Sequence, residues 1–381
     1  MAVVLVADEF PPDVGGVGRS VARIALGLAA GGLGVRILVL ERGICDDALV
    51  TTDYHGIPIF RFRPVPTGSD RAQSRDAERS MRVLQHFRGQ AVDLVHAFFP
   101  TTTGLTAGLL ARTMAAPFVA SFRGNDVYEA LHGRHLGNLR WILRQADFVT
   151  FVNNEMAELA RAVEPEWRQG AVIHNGVAQV PPVALRDDLQ PQVVIGCTGV
   201  MRSKKGIRVL LQALVHLRQH CSCKMVVIGS LAANEDAYWR GQLHALDLEN
   251  MIEITGFLPH EEVEAHLSRL DVYVHPAIYD GCPNALLEAA SVGLPIVCAR
   301  SGATRDLLVD GRDCLMHYCD DHVGLANAVI ELASSPALRH RLGASARIRM
   351  CEEFSLQQEQ QSWRSVYERL LGGRARDRLK S

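Results

Sequence analysis

The stretch Tyr279-Asp280-Gly281-Cys282-Pro283-Asn284-Ala285-Leu286-Leu287-Glu288-Ala289-Ala290 decides how the chain is read. It follows a β-rich run over 271–275 and opens a helix. Pro283 suits a first helical turn, because its missing N–H would be unpaired there anyway. Amides at a helix start point outward and attract anions and hydroxyl oxygens. Asp280 and Glu288 flank seven residues, which places Asp280 in the loop before the helix and Glu288 more than one turn inside it. The two acids can therefore address different parts of one elongated ligand. The plain alternative is a turn-forming Asp and a solvated Glu.

Outward from this stretch, the chain alternates strand and helix. Short apolar runs at 3–7, 35–40, 57–62, 94–98, 117–122, 148–152 and 172–174 are mostly separated by helical patterns. The first such helix carries Val21, Ile24, Ala25, Leu28 and Ala29 and ends at Gly31-Gly32. Residues 178–192 hold Pro181, Pro182 and Pro191 with Arg186-Asp187-Asp188, a linker composition. The rhythm then restarts with runs at 193–197, 225–229, 252–255, 272–275 and 296–299. This alternation predicts an α/β protein of two doubly wound, Rossmann-like domains facing a central cleft. The divisions expected are a first domain over 1–180, a linker over 181–192 and a second domain over 193–355. Ligands in such sheets bind beyond the carboxyl ends of the strands. Residues 356–371 form an amphipathic helix, and 372–381 read as a loose basic tail.

Composition narrows the class. At 381 residues the chain suits two or three domains of about 150 residues each. With 48% hydrophobic and 22% charged residues it can build real cores. A formal net charge of -2 gives no reason to expect nucleic acid or an anionic membrane as partner. No apolar run reaches the length of a transmembrane helix. Residues 1–7 enter a strand directly, without the basic start and cleavage site of a signal peptide, so a cytoplasmic location is expected. Nine cysteines are scattered and odd in number, which suits reduced thiols. Residues 133–144 place Arg134, His135, Arg140 and Arg144 beside Leu136, Leu139, Trp141 and Leu143. That is a surface helix, or a weak peripheral contact with the inner face of the membrane.

Three further loops follow strands. Gly15-Gly16-Val17-Gly18 lies in the first, after Asp8-Glu9-Phe10-Pro11-Pro12. A dinucleotide fingerprint would need a third glycine where Val21 stands, and no Lys-Ser/Thr pair completes a phosphate loop. A tight strand-to-helix turn would use the same glycines. The second loop is Ser121-Phe122-Arg123-Gly124-Asn125-Asp126, in which the plain reading pairs Arg123 with Asp126. The third, Thr198-Gly199-Val200-Met201-Arg202-Ser203-Lys204-Lys205-Gly206, concentrates cations before a helix. His96 suits core packing as well as function.

These segments together resemble the retaining glycosyltransferases of family 4. The opening stretch is similar to their Glu-x7-Glu signature, with Asp280 in place of the first Glu and Cys282 where Phe is common. Residues 121–126 resemble Thr-x-His-Gly-x-Asp, with Arg123 in place of His. His174-Asn175-Gly176-Val177 is similar to the family's Pro-Asn-Gly-Val, and the first loop to its Pro-Pro-x-x-Gly-Gly. The resemblance implies a GT-B fold whose terminal helix, 356–371, packs back on the first domain. It implies a nucleoside-diphosphate sugar as donor, with a UDP-sugar favoured, and a saccharide, lipid-linked or small-molecule acceptor. Arg123, Arg202, Lys205 and Asp280 are the implied catalytic residues. Gly16, Gly199, Lys204, Gly281, Cys282, Pro283, Asn284, Ala285, Leu286 and Glu288 are implied to bind the donor, with Glu288 on the ribose. Gly15, Asn125 and Asp126 are implied to meet the acceptor. No cofactor or metal is expected, since Arg202 and Lys205 can carry the diphosphate charge and no Asp-x-Asp motif sits in a suitable loop. An epimerase or synthase on the same fold, or a non-catalytic sugar-binding subunit, fits the same segments.

Overall fold

Strand β1, Ala2–Ala7, is buried from its second residue onward. A run with no polar alternation is stable only where both faces are covered, and this fixes a parallel sheet clad by helices. The structure is a computed structural model; it describes all residues except 14–15, 42–48, 64–71, 125, 134, 187, 189–190 and 379–381. The chain divides into two units, Met1–Asn175 with Glu359–Ser381, and Gly176–Gln358.

The first unit holds β1, β2 (Gly34–Leu40), β3 (Leu49–Tyr54), β4 (Ile57–Phe62), β5 (Leu94–Phe98), β6 (Phe118–Phe122), β7 (Phe148–Phe151) and β8 (Gly170–Val172). Their order across the sheet is β3-β4-β2-β1-β5-β6-β7-β8. All pairs are parallel except β3 with β4, which is antiparallel. Strand β3 is absent from the sequence reading. Its LVTTDY run is largely exposed, so hydrophobicity gives no signal. The turn gives one in hindsight: His55 and Gly56 both take positive φ, at 53° and 84°, the geometry of a two-residue hairpin. The Asp53 carboxylate accepts from Gly56 N at 2.8 Å.

The second unit holds β9 (Val193–Thr198), β10 (Cys223–Ile228), β11 (Ile252–Ile254), β12 (Val272–His275), β13 (Ile296–Ala299) and β14 (Leu315–His317). The order is β11-β10-β9-β12-β13-β14, with every pair parallel. Strand β14 also escaped the sequence reading, being only three residues long. In each sheet the winding reverses once, between β1 and β5 and between β9 and β12. Those switch points are where such sheets bind ligands.

Three boundaries differ from expectation. The first helix begins at Gly16 and runs Gly16–Ala30, so Gly16, Val17 and Gly18 form its first turn rather than a loop. Strand β8 lies two residues earlier than expected, and Ile173 N still donates to Phe151 O at 2.8 Å. The final helix runs Leu356–Arg378, so most of the basic tail is helical. Residues 178–186 carry no helix or strand, yet Val183 N donates to Val292 O at 2.9 Å and Arg186 pairs with Asp271, which ties them to the second unit. The helix Leu136–Gln145 buries Leu139, Ile142 and Leu143, so the apolar face considered for a membrane surface is taken up inside the first unit. Among the described residues no helix is long and apolar enough to cross a membrane.

The first unit is closed by the end of the chain. Trp363, Val366, Tyr367 and Leu371 join the core formed by β1, β2, β5 and the first helix. His96, fully buried on β5, bonds Tyr367 through Nδ1 at 2.6 Å and Ser121 through Nε2 at 2.5 Å. His96 is therefore a core group, and burial holds its ring neutral. Trp363→Ala would leave a cavity here and should destabilise the first unit by about 3–5 kcal/mol. Chemical denaturation followed by circular dichroism measures this. A loss below about 1 kcal/mol would mean that the helix adds little to the core.

Candidate active site

In the second unit the loops after β9 and β12 lie side by side at the switch point. Gly206 makes this possible. It has φ of 75°, and a Cβ there would lie 1.9 Å from the Pro276 carbonyl oxygen. Ile278 N donates to Lys204 O at 3.1 Å across the same seam. Residues 203–205 form one tight helical turn after Arg202, with Lys205 N donating to Arg202 O at 2.8 Å. The turn is clamped from β10's side by Glu235, which accepts from Ser203 N at 2.8 Å, Ser203 Oγ at 2.7 Å and Trp239 Nε1 at 2.7 Å.

This stitching brings Lys205 onto Asp280, and Lys205 Nζ donates to Asp280 Oδ2. The pair is partly shielded, with the Lys205 and Asp280 side chains 24% and 21% exposed. Burial pushes the Asp280 carboxyl up, but Lys205, His275 and Lys204 outweigh it and hold it below the ordinary carboxylate range. His275 ends β12, is buried, and has Nε2 3.9 Å from Asp280 Oδ2. Burial, then the Lys205 ammonium, push the His275 imidazole down to about 4 against a smaller pull from Asp280. Arg202 is exposed and Lys204 half-buried.

Asp280 and Gly281 lead into the helix Asn284–Ser291, with Pro283 at its N-cap, one position earlier than a first-turn proline. Gly281, Cys282, Pro283 and Leu286 are buried, so their contacts with any ligand would run through the backbone. Asn284, Ala285 and Glu288 are half-buried. Glu288 stands about 6 Å along the helix axis from Asn284 at 1.5 Å per residue. Gly199, exposed after β9 with φ of 109°, borders the same switch point.

The first unit treats its expected residues differently. Gly15 and Asn125 lie outside the described residues, and Gly16 is exposed. Arg123 turns inward, and it forms an ion pair with Glu359 where the plain reading gave it Asp126. Its guanidinium is 2% exposed, pairs with Glu359 at 3.2 Å, donates to Asn175 Oδ1 and lies 5.5 Å from the Trp363 ring centroid. Glu359 also receives Arg23, at 2.8 and 3.1 Å. A sequence pattern could not show that a glutamate 236 residues later would turn Arg123 inward.

Asp126 is buried, and its Oδ1 accepts from Gly124 N at 3.3 Å. Burial raises this carboxyl to about 7, against the smaller lowering effect of backbone amides led by Gly124. Two residues of the site went unnoticed in the sequence. His275 reads only as the end of the run at 272–275, and nothing in the sequence singles out Glu235. Neither carries a local signal, because each meets its partner only through the fold.

Both halves of the chain match family models. Residues 14–178 match glycosyltransferase family 4, and residues 188–349 match glycosyl transferases group 1. A glycogen synthase of Mycobacterium tuberculosis is 26% identical over 96% of this chain and 94% of its own length. A GDP-mannose-dependent alpha-mannosyltransferase of Corynebacterium glutamicum is 25% identical over 83% of this chain and 76% of its own length. Among solved structures, sucrose-phosphate synthase from Thermosynechococcus elongatus superposes with a TM-score of 0.85 at 20% identity, covering 98% of this chain and 99% of that one. HepE of Anabaena, in complex with UDP-glucose, superposes at 0.76 with 17% identity, covering 97% and 100%. Fold and matches define a glycosyltransferase of GT-B type. The chain belongs to glycosyltransferase family 4.

Asp126 makes stability depend on pH in a definite direction. Its carboxyl has an ordinary value of 3.8 and a folded value of about 7. Between the two, the unfolded chain binds fewer protons, so stability falls as pH rises and levels off above the folded value. Asp126→Asn should flatten that slope and melt higher than the parent protein at pH 8. Thermal midpoints from pH 4.5 to 8 test it, and an unchanged slope would assign the titration to another group.

Proposed function

We propose that this enzyme transfers a sugar from a nucleoside-diphosphate sugar to a hydroxyl acceptor with retention of configuration and without a metal ion. The observation that carries this reading is the meeting of Lys205 and Asp280 at the β9/β12 switch point, at the start of the helix Asn284–Ser291. A leaving diphosphate needs fixed positive charge, and a sugar needs a carboxylate for its hydroxyls. Lys205 and Arg202 supply the first together with the positive end of the helix. Asp280 supplies the second, and Glu288, one turn deeper, reaches the ribose. Retention follows if the acceptor attacks on the face the diphosphate leaves, with a phosphate oxygen drawing off the acceptor proton. A relative that uses GDP-mannose and a structural neighbour holding UDP-glucose support a nucleotide-sugar donor, with a UDP-sugar the first to try.

A thermal-shift screen with UDP, GDP, ADP and dTDP identifies the base. At 100 times its dissociation constant the right one stabilises by about 2.7 kcal/mol. The matching sugar donor is then offered with acceptors, with and without EDTA, and the first-formed anomer is read by NMR. Consumption of donor without acceptor, an inverted product, or loss of activity in EDTA would each refute a part of the reading.

Two substitutions divide binding from chemistry. Charged hydrogen bonds contribute about 1.5–3 kcal/mol, so Glu288→Gln should weaken nucleoside diphosphate binding about ten- to a hundred-fold. Unchanged binding would remove Glu288 from the ribose. Lys205→Ala should lower kcat by about a hundred-fold or more, with a smaller loss of donor affinity, because charge grows on the phosphate as the sugar leaves. Lys204→Ala is the control; equal and small binding losses in both would leave the turn without a catalytic role.

A further inference from the structure

The nucleotide-sugar reading draws the Lys205 ammonium toward a diphosphate, and the further it moves the less it neutralises Asp280. In the structure that ammonium is held by the carboxylate. The multiply charged diphosphate outcompetes a single carboxylate for it, as the reading above requires. Asp280 would then keep its charge in a partly shielded pocket with its main counter-ion gone. Removing one partner of a shielded ion pair is strongly unfavourable unless another group takes its place.

The site contains such a group. His275 Nε2 is buried and has no hydrogen-bond partner. Native proteins leave few such atoms, and each calls for a reason. It lies 3.9 Å from the same oxygen that Lys205 holds, about 1 Å beyond hydrogen-bonding reach. A small rotation of the Asp280 carboxylate closes that gap once the ammonium has left. The imidazole is neutral at physiological pH, so its Nε2–H tautomer offers one proton to share without adding a charge that would compete with Lys205.

We propose that His275 is a positioning residue that receives the Asp280 carboxylate when Lys205 passes from Asp280 to the donor diphosphate, keeping the acid charged and aimed at the sugar. This inference rests on the nucleotide-sugar reading of the site. It gives the Lys205–Asp280 pair a second meaning, as the resting position of the phosphate cation. Asp280 then competes with the diphosphate for Lys205, and His275 lessens that competition.

The test is a binding cycle that needs no acceptor. UDP and GDP are titrated by isothermal calorimetry into the full-length protein, and the tighter one is carried through the variants. Asp280→Asn frees Lys205 and should bind the nucleotide about three- to ten-fold more tightly, while sugar transfer is lost. His275→Leu should bind about ten-fold more weakly, and His275→Gln, which keeps an N–H, should stay within about three-fold of the parent. In the Asp280→Asn background, His275→Leu should have no further effect. Additive losses, equal losses in Gln and Leu, or an unaffected His275→Leu would each overturn the hand-over. If His275→Leu does not fold by circular dichroism, His275→Asn, whose shorter amide stops short of Asp280, takes its place with the same expected loss. A folded parent protein that binds neither nucleotide would overturn the nucleotide reading itself, and the hand-over with it.

Discussion

The chemistry of the second unit depends on one constraint, that a lysine and an aspartate from different loops must meet at a strand switch point. Strands β9 and β12 are neighbours although their first positions, Val193 and Val272, lie 79 residues apart. Their parallel pairing aims both carboxyl ends the same way, and the reversal of winding leaves a crevice between the helices that follow. Gly206 lets the first loop approach the Pro276 carbonyl without a side chain in the way. The ion pair then balances its own charges. Glu235 fixes the cationic turn from the other side, so the lysine backbone has little freedom and the long side chain keeps its own.

The legible part of this protein was its local grammar. Parallel strands buried on both faces read as unbroken apolar runs, and most of the strands announced themselves that way. The loops at 198–206 and 279–290 could be read because each packs its chemistry into consecutive residues after a strand. What stayed hidden depends on distance along the chain. The Arg123–Glu359 pair, the Lys205–Asp280 pair and the approach of His275 to Asp280 are products of topology. Strand β3 was hidden for a different reason: a largely exposed strand of Thr and Asp has no hydrophobic signature, and only its turn marks it.

The two units use buried charge in opposite ways. In the first, Arg123, Arg23 and Glu359 form a shielded network that holds the terminal helix to the sheet. Every member is committed to another protein group, which suits structure. In the second, the Lys205–Asp280 pair is only partly shielded and sits beside a histidine nitrogen that has no hydrogen-bond partner. An ion pair with a waiting alternative can exchange partners at little net cost.

The return of the terminal helix also bears on how the protein is made. The second unit is one continuous segment, Gly176–Gln358, while the first is assembled from both ends of the chain. On the ribosome the first unit's strands emerge early, but Trp363 and Tyr367 follow only after the whole of the second unit. Roughly 190 residues lie between the end of its first segment, Asn175, and Trp363, or about 10–40 s of translation at about 5–20 residues per second. For that interval the apolar socket for Trp363 is open to water. The part of the protein that is translated first is thus completed only after the second unit, and a chain stalled before residue 359 would expose a hydrophobic face that chaperones recognise.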